Sequence, residues 1–153
     1  GSCMTNIGHF RAASALLENK RAIPVKLWMA PPTKMEATQL SEEGHYGVLG
    51  SAGARMEMPG CSLCMGNQAQ AKEGATVMST STRNFPNRLG KNTFVYLGSA
   101  ELAAICSKLG KIPTVEEYQA NIGIINEKGD EVYRYMNFNE IDSYNDVAEK
   151  VNV

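Results

Sequence analysis

The chain has 153 residues, the size of one ordinary domain and enough to bury a core. Apolar residues make up 43% and charged residues 20%, which is typical of a soluble globular domain and excludes a disordered or membrane-spanning chain. The net charge of −1 excludes overall electrostatic attraction to nucleic acid or to an anionic membrane. Because no long apolar run and no secretory leader pattern occurs, we expect a cytoplasmic protein.

The first half of the sequence predicts a helix, a strand, a helix and a strand. Apolar residues recur at helical spacing over residues 9–20, and residues 25–30 form a short apolar strand that stops at two prolines. Thr33 and Glu36 have the spacing of a capping box, which opens the next helix. Residues 55–58 alternate in polarity and predict a strand that leads to Cys61.

The second half continues this alternation. Residues 75–79 and 92–97 predict two strands, and Ser99 and Thr114 predict the starts of two helices. Beyond about residue 121 the pattern weakens, and residues 127–130 predict a turn within an acidic carboxyl-terminal third. The whole order predicts an α/β fold, a three-layer α/β/α sandwich with a mostly parallel sheet.

Four cysteines occupy two kinds of setting. Cys106 lies on the apolar stripe of a predicted helix, where a small buried side chain is expected. Cys61 and Cys64 form a Cys-x-x-Cys loop within Met-Pro-Gly-Cys-Ser-Leu-Cys-Met-Gly-Asn, and Cys3 precedes the first helix in a second polar segment. These three cysteines are the candidates for redox or metal chemistry.

Four chemistries are open for these cysteines. A disulfide would be reduced in the cytoplasm, and a thioredoxin-type dithiol usually follows the first strand of its fold, earlier than this pair. A structural zinc site needs four ligands, and neither His9 nor His45 has a spacing that favours one. Three thiolates on a four-iron cluster would leave one iron open as a Lewis acid. Spacing alone does not decide among these alternatives.

Residues 79–90 form a polar segment with two arginines, Arg83 and Arg88, five positions apart. The planar guanidinium group binds a carboxylate through two hydrogen bonds, so this loop beside a metal centre would suit a polycarboxylate ligand. The alternative is a solvated loop whose arginines cover neighbouring surface. The two interpretations separate only if the loop lies near the cysteines.

Three segments, in this order, resemble the aconitase family, and most closely its bacterial B-type branch. They read Gly-Ser-Cys-Met-Thr-Asn, Pro-Gly-Cys-Ser-Leu-Cys-Met-Gly-Asn and Ser-Thr-Ser-Thr-Arg-Asn-Phe-Pro-Asn-Arg-Leu-Gly. The resemblance implies that Cys3, Cys61 and Cys64 hold a four-iron four-sulfur cluster and that Arg83 and Arg88 contact substrate carboxylates. It implies a hydro-lyase of the tricarboxylic acid cycle that interconverts citrate and isocitrate through cis-aconitate.

Three polar residues beside these motifs are candidates for supporting hydrogen bonds. Asn6 and Asn67 stand next to the implied ligands, and Thr82 stands where many aconitases of other branches carry an asparagine. The alternative for each asparagine is that it fixes the conformation of its own loop.

Aconitases are several times longer than this chain, and their proton-transferring serine and water-expelling residues lie in other domains. The resemblance therefore implies that residues 1–120 belong to a cluster and substrate-binding domain without its amino-terminal part, and that residues 121–153 are the tail of that domain. No catalytic residue is assigned in this chain. We expect it to be inactive alone, to lose any cluster readily, and to have the remaining aconitase domains as partners.

Two other functions stay open. A cluster-free chain could bind RNA through a basic patch formed by Lys72, Lys91 and the two arginines, and the cysteines could instead belong to a zinc-holding structural domain. Within the family, isopropylmalate dehydratases and homoaconitases carry similar cysteine motifs, and 2-methylisocitrate is a further candidate substrate.

Overall fold

The computed structural model describes residues 4–61, 63–67 and 69–134. In chain order the elements are α1 (Ile7–Leu17), β1 (Leu27–Met29), α2 (Lys34–Glu42), α3 (His45–Ala52), β2 (Ala54–Met56), β3 (Thr76–Ser79), β4 (Phe94–Leu97), α4 (Ala100–Leu109), α5 (Val115–Glu127) and α6 (Gly129–Val132). The predicted α/β class is confirmed.

The four strands form two small parallel sheets within the described residues. β1 pairs with β2, placing Leu27 opposite Ala54, and β3 pairs with β4, placing Thr76 opposite Phe94. The parallel pairing agrees with the predicted fold class, but the sheets are smaller than the single layer expected of a three-layer sandwich.

The core is organised around α1. This helix is buried on most of its circumference, as expected for a helix that packs on several others, and it contacts α2 to α6. Phe10, Leu17, Leu40, Leu49 and Ile105 are among the residues that form the centre of the core.

Helix starts follow the capping residues in the sequence. The side chains of Thr33, Ser99 and Thr114 each accept a hydrogen bond from a backbone N–H in the first turn of α2, α4 and α5. Asn6 caps α1 in the same way, and Gly110 ends α4 in the left-handed conformation.

The helices differ from the sequence analysis in two places. Helix α3, a short helix that begins and ends at glycines with positive φ, was not predicted. The predicted turn at residues 127–130 is a single junction residue, Lys128, between α5 and α6. Helical structure continues there because Ile125 and Val132 are buried in the core beside α1.

A charged cluster joins α1 to the end of α2. Arg11 is almost fully buried and donates two hydrogen bonds to the Glu43 carboxylate, from Nε at 2.8 Å and from Nη2 at 2.6 Å. Arg134 also donates to Glu43, at 2.7 Å. These contacts, led by the hydrogen bonds from Arg11, lower the pKa of Glu43 to about 2.

No helix in the described part of the chain is long and apolar enough to cross a membrane. Residues 135–153, which contain much of the acidic segment noted in the sequence, lie outside the described residues.

Candidate metal and substrate site

The Cys-x-x-Cys loop begins where β2 ends and is fixed against the end of β1. The Glu57 N–H donates to the carbonyl of Met29 at 2.7 Å, and the Gly60 N–H donates to the carbonyl of Pro31 at 2.9 Å. Beyond this anchor Cys61 is exposed, whereas Cys64 is 6% exposed. Cys64 is not in a disulfide, so the two cysteines do not form a bridge with each other.

The sulfur of Cys64 lies 2.8 Å from the hydroxyl oxygen of Ser81, which is also buried. The Ser81 hydroxyl oxygen accepts a hydrogen bond from the Arg83 backbone N–H at 3.3 Å. Either the thiol or the hydroxyl can donate the hydrogen bond between them, and when Cys64 is a thiolate the hydroxyl is the donor. A hydroxyl that donates to sulfur stabilises the thiolate form, which is the form that binds metal.

Arg88 connects the two loops. Its Nη1 donates to the carbonyl of Cys64 at 2.6 Å, and its Nη2 donates to the hydroxyl of Ser79 at 3.1 Å. The residue is only 3% exposed, and its buried Nε has no hydrogen-bond partner among the described residues. No carboxylate in the described part of the chain forms an ion pair with it. A buried cation in this state favours an anionic group beside it.

Close backbone contacts hold the same two loops together. Gly66 has φ of +71°, and a Cβ at this position would overlap the carbonyl oxygen of Arg88. The Ala71 N–H donates to the carbonyl of Leu89 at 2.7 Å. Glycine is required at Gly66 both by the backbone conformation and by the close approach.

Arg83 and Arg88 have different environments. Arg83 is exposed, on the loop that Ser81 and Asn84 anchor, and the Asn84 side chain donates to the carbonyl of Val95 at 3.1 Å. Arg88 lies inside the protein instead of covering its surface. The arginine loop is therefore in direct contact with the Cys-x-x-Cys loop, the arrangement that the sequence left open.

The predicted basic patch is not formed as expected. Arg88 is buried and its guanidinium group contacts the Cys64 loop, so it cannot contribute to an exposed surface. The ammonium group of Lys91 lies 3.0 Å from the Glu73 carboxylate, which neutralises part of the remaining charge. Arg83 and Lys72 are the exposed members of the set that have no ion pair within the described residues.

The remaining candidate residues are distributed as follows. Asn6 fixes its own loop, since its Oδ1 accepts from the His9 N–H and its N–H donates to His9 Nδ1. Asn67 and Thr82 are exposed. Cys3 lies outside the described residues, so its position beside Cys61 and Cys64 stays a prediction.

Cys106 is buried on α4, as predicted, and burial raises the pKa of its thiol. Its role is therefore to pack within the protein, and it is not a candidate metal ligand. Ser79 and Ser81 were not predicted as site residues, although the dense run of hydroxyl side chains between Ser79 and Thr82 indicates a hydrogen-bonding site.

The described residues fit a thiolate-bound, anionic group. They do not include three potential metal ligands gathered at one point, and the third candidate, Cys3, is not among them. They provide one exposed and one buried thiol, a hydroxyl oxygen 2.8 Å from the buried sulfur, and a buried arginine without an anionic partner among them. An iron–sulfur cluster has thiolate ligands, carries negative charge and accepts hydrogen bonds at sulfur.

Comparison with known proteins agrees with the site. A sequence model of the aconitase family (aconitate hydratase) matches residues 1–110, and the chain belongs to this family. It is 64% identical over 149 residues to aconitate hydratase B of Pseudomonas aeruginosa, which covers 97% of this chain and 17% of that protein. It is 59% identical over 152 residues to aconitate hydratase B of Escherichia coli, which covers 99% of this chain and 18% of the relative.

A more distant relative is the 3-isopropylmalate dehydratase large subunit of Flavobacterium johnsoniae, 34% identical over 120 residues. That match covers 76% of this chain and 26% of the relative. The chain thus spans less than a fifth of the B-type aconitate hydratases that it matches.

Proposed function

We propose that this chain supplies the cluster-binding and substrate-carboxylate-binding part of an aconitate hydratase, a cytoplasmic hydro-lyase of the tricarboxylic acid cycle. The observation that carries the proposal is the hydrogen bond from Arg88 Nη1 to the Cys64 carbonyl, which makes the cysteine loop and the arginine loop one structural unit. The 64% identity to an aconitate hydratase B supports it. The substrates are then citrate, isocitrate and cis-aconitate.

Cys61 and Cys64, together with Cys3, would hold a four-iron four-sulfur cluster. When bound, such a cluster supplies a Lewis-acidic iron without a cysteine ligand, which polarises a substrate hydroxyl and carboxylate. Ser81 stabilises the Cys64 thiolate by donating a hydrogen bond to its sulfur. Arg88 holds the Cys64 peptide in place and adds a buried positive charge beside the sulfur ligands.

Arg83 is the principal carboxylate-binding residue in this proposal. Its side chain is exposed on a loop that two hydrogen bonds anchor, so its fork is accessible to a carboxylate. Two of the three nitrogens of Arg88 each donate to a protein acceptor, and the buried Nε has no partner within the described residues, so Arg88 is proposed to act mainly through its position and charge. Thr82 and Asn67 are exposed, and they lie close to these groups in the sequence. We propose that they form supporting hydrogen bonds at the site.

The groups that move protons are proposed to lie in the remaining domains of the longer protein. Residues 1–120 then form part of the cluster domain and residues 121–153 its tail, and the chain alone is inactive. Conversion of citrate or isocitrate to cis-aconitate by the purified chain would contradict this part of the proposal. The same site also suits 2-methylisocitrate, because that acid presents the same carboxylates and hydroxyl.

Anaerobic reconstitution with iron and sulfide tests the cluster ligands. The chain is expected to develop a broad absorption in the blue region of the visible spectrum, which Cys61→Ser and Cys64→Ser remove. Cys106→Ser is the matched control, because it removes a thiol that is buried on α4. Absence of the chromophore in the unaltered chain, or equal loss in the Cys106→Ser control, would contradict the assignment.

Steady-state kinetics of the longer protein test the role of Arg83. Loss of a charge-assisted hydrogen-bonded pair costs about 1.5–3 kcal/mol, so Arg83→Gln should raise KM for citrate by roughly 10- to 100-fold. Arg21→Gln is the control, since Arg21 is an exposed arginine outside both loops. An unchanged KM in Arg83→Gln would remove this residue from the substrate site.

A further inference from the structure

A cleft of about 600 Å³ separates the two small sheets. One side is formed by the β1 segment, residues 25–29, and another by the β3 segment, residues 75–80. Helices α1 and α4 contribute Phe10, Ala103 and Ala104, among others. Residues of β2 and β4 do not line it, so β1 and β3 are the strands that border the cleft.

Both strands border the cleft with their edges. Successive side chains of a strand point to opposite faces, so an unbroken run of lining residues means that the cleft is approached along the strand edge. The carbonyl of Met29 accepts from the Glu57 N–H, which turns the backbone groups of Met29 towards β2 and those of Trp28 away from it. Trp28 thus presents its N–H and C=O on the side away from β2.

Strand β3 has a free edge of the same kind. The carbonyls of Ala75 and Ser79 accept from the Phe94 and Gly98 N–H groups. The alternate residues, Thr76 and Met78, therefore direct their backbone groups away from β4. Apart from the strand pairs themselves, no backbone acceptor is found within the described residues for the N–H groups of Trp28, Thr76 or Met78.

We infer that the cleft receives an extended β-strand from polypeptide that lies outside residues 1–153 in the longer protein. This strand pairs with β1 on one edge and with β3 on the other, and it joins the two sheets into one, in the order β2, β1, inserted strand, β3, β4. Both free edges present rows of backbone N–H and C=O groups. A polypeptide strand can form hydrogen bonds with all of them, whereas a small ligand cannot.

Three observations favour this occupant. Two-stranded parallel sheets are unusual on their own, since parallel strands are normally buried within larger sheets. More than four fifths of the B-type relatives lies outside the matched region, which leaves ample chain to supply a strand. The charged lining residues are Lys26, Lys72 and Lys111, without any Asp or Glu, so the inserted segment is expected to be apolar with neutral or acidic flanks.

Hydrogen exchange with residue-level mass spectrometry tests the inference. It compares the 153-residue chain with the same sequence inside the longer polypeptide. The amides of Trp28, Thr76 and Met78 should exchange at least 100-fold more slowly in the longer polypeptide. Met29 and Val77 are internal controls, because their backbone groups face β2 and β4 in both samples.

Equal exchange at the three edge amides in both samples would overturn the inference. So would protection in the 153-residue chain that rises with concentration, which would assign the cleft to a second copy. Slow exchange of the edge amides in the dilute 153-residue chain would also overturn it, because the edges would then be covered without outside polypeptide. None of these results depends on the cysteines, so they are separate from a failure of the proposed function.

A proline pair gives a second test. Thr76→Pro removes an N–H that has no partner in the described residues, so it should leave the urea midpoint of the 153-residue chain nearly unchanged and lower that of the longer polypeptide. Val77→Pro removes an N–H on the β4 side and should lower both midpoints. If Thr76→Pro leaves the longer polypeptide unaffected, the inserted strand does not pair with β3.

Discussion

Replacing Arg88 with methionine should destabilise the contact between the two site loops. The substitution keeps a long flexible side chain but removes the hydrogen bonds to the Cys64 carbonyl and to the Ser79 hydroxyl. Hydrogen bonds from a charged donor contribute about 1.5–3 kcal/mol each, so the gross loss is about 3–6 kcal/mol. Removing a buried charge without an ion-pair partner returns part of this. We expect a net loss of about 2 kcal/mol in the free energy of unfolding.

Urea denaturation followed by the fluorescence of Trp28, the single tryptophan, measures this change. With a slope of about 2 kcal/mol per molar urea, the midpoint should fall by about 1 M. The Cys64 thiol should also react faster with a disulfide reagent, because its loop loses an anchor. Arg83→Met is the control and should change the free energy of unfolding by less than about 0.5 kcal/mol, since Arg83 is exposed.

If Arg88→Met were as stable as the unaltered chain, or if Arg83→Met were equally destabilising, Arg88 would not hold the two loops together. Arg88→Lys offers a further comparison. It keeps the positive charge but not the planar fork that reaches two acceptors, so its stability should be closer to that of Arg88→Met than to that of the unaltered chain.

Three further predictions concern backbone fit, pH and capping. Gly66→Ala should lower the free energy of unfolding, measured in urea, by about 2 kcal/mol or more, because Gly66 has a positive φ and lies against the Arg88 carbonyl. The control Gly47→Ala lies in open space on α3 and should be neutral or stabilising. Equal effects of the two substitutions would contradict the close approach at Gly66. Because the folded state lowers the pKa of Glu43, its carboxylate stabilises the fold above pH 4.5, and this contribution disappears as the pH falls towards 2. Glu43→Gln should therefore lower the free energy of unfolding by about 1–2 kcal/mol at pH 7, and the difference in this free energy from the unaltered chain should shrink between pH 5 and 3. A constant difference across that range would contradict the linkage. Ser99→Ala should cost about 1 kcal/mol through loss of the α4 cap, measured by thermal unfolding, and no change in the midpoint would argue against the cap.

The features that the sequence predicted well depend on local chemistry. The capping side chains of Thr33, Ser99 and Thr114 satisfy N–H groups within their own helices, so neighbouring residues are sufficient to predict them. The burial of Cys106 follows from the apolar periodicity of α4 in the same way. The cysteine and arginine motifs were visible because each is continuous in the sequence.

The features that the sequence did not predict depend on contacts between distant residues. Helix α3 has no side-chain cap and is enclosed by glycines, so no local signal marks its start. Arg88 and Arg83 look equivalent in the sequence, and only the approach of the Cys64 loop distinguishes the buried arginine from the exposed one. The division of the strands into two sheets likewise depends on which edges meet across the cleft.

The shared cluster site requires that the Cys3 sulfur lies close to those of Cys61 and Cys64 even without metal. In a cluster-free Cys106→Ser chain, mild oxidation at low protein concentration followed by mass spectrometric mapping identifies the disulfides that form within one molecule. We expect an intramolecular disulfide between Cys3 and Cys61, because ligands of one cluster lie within reach of each other and Cys61 is exposed. If Cys3 forms disulfides only between molecules while the fold is intact, the three cysteines do not share a site and the proposed cluster is contradicted.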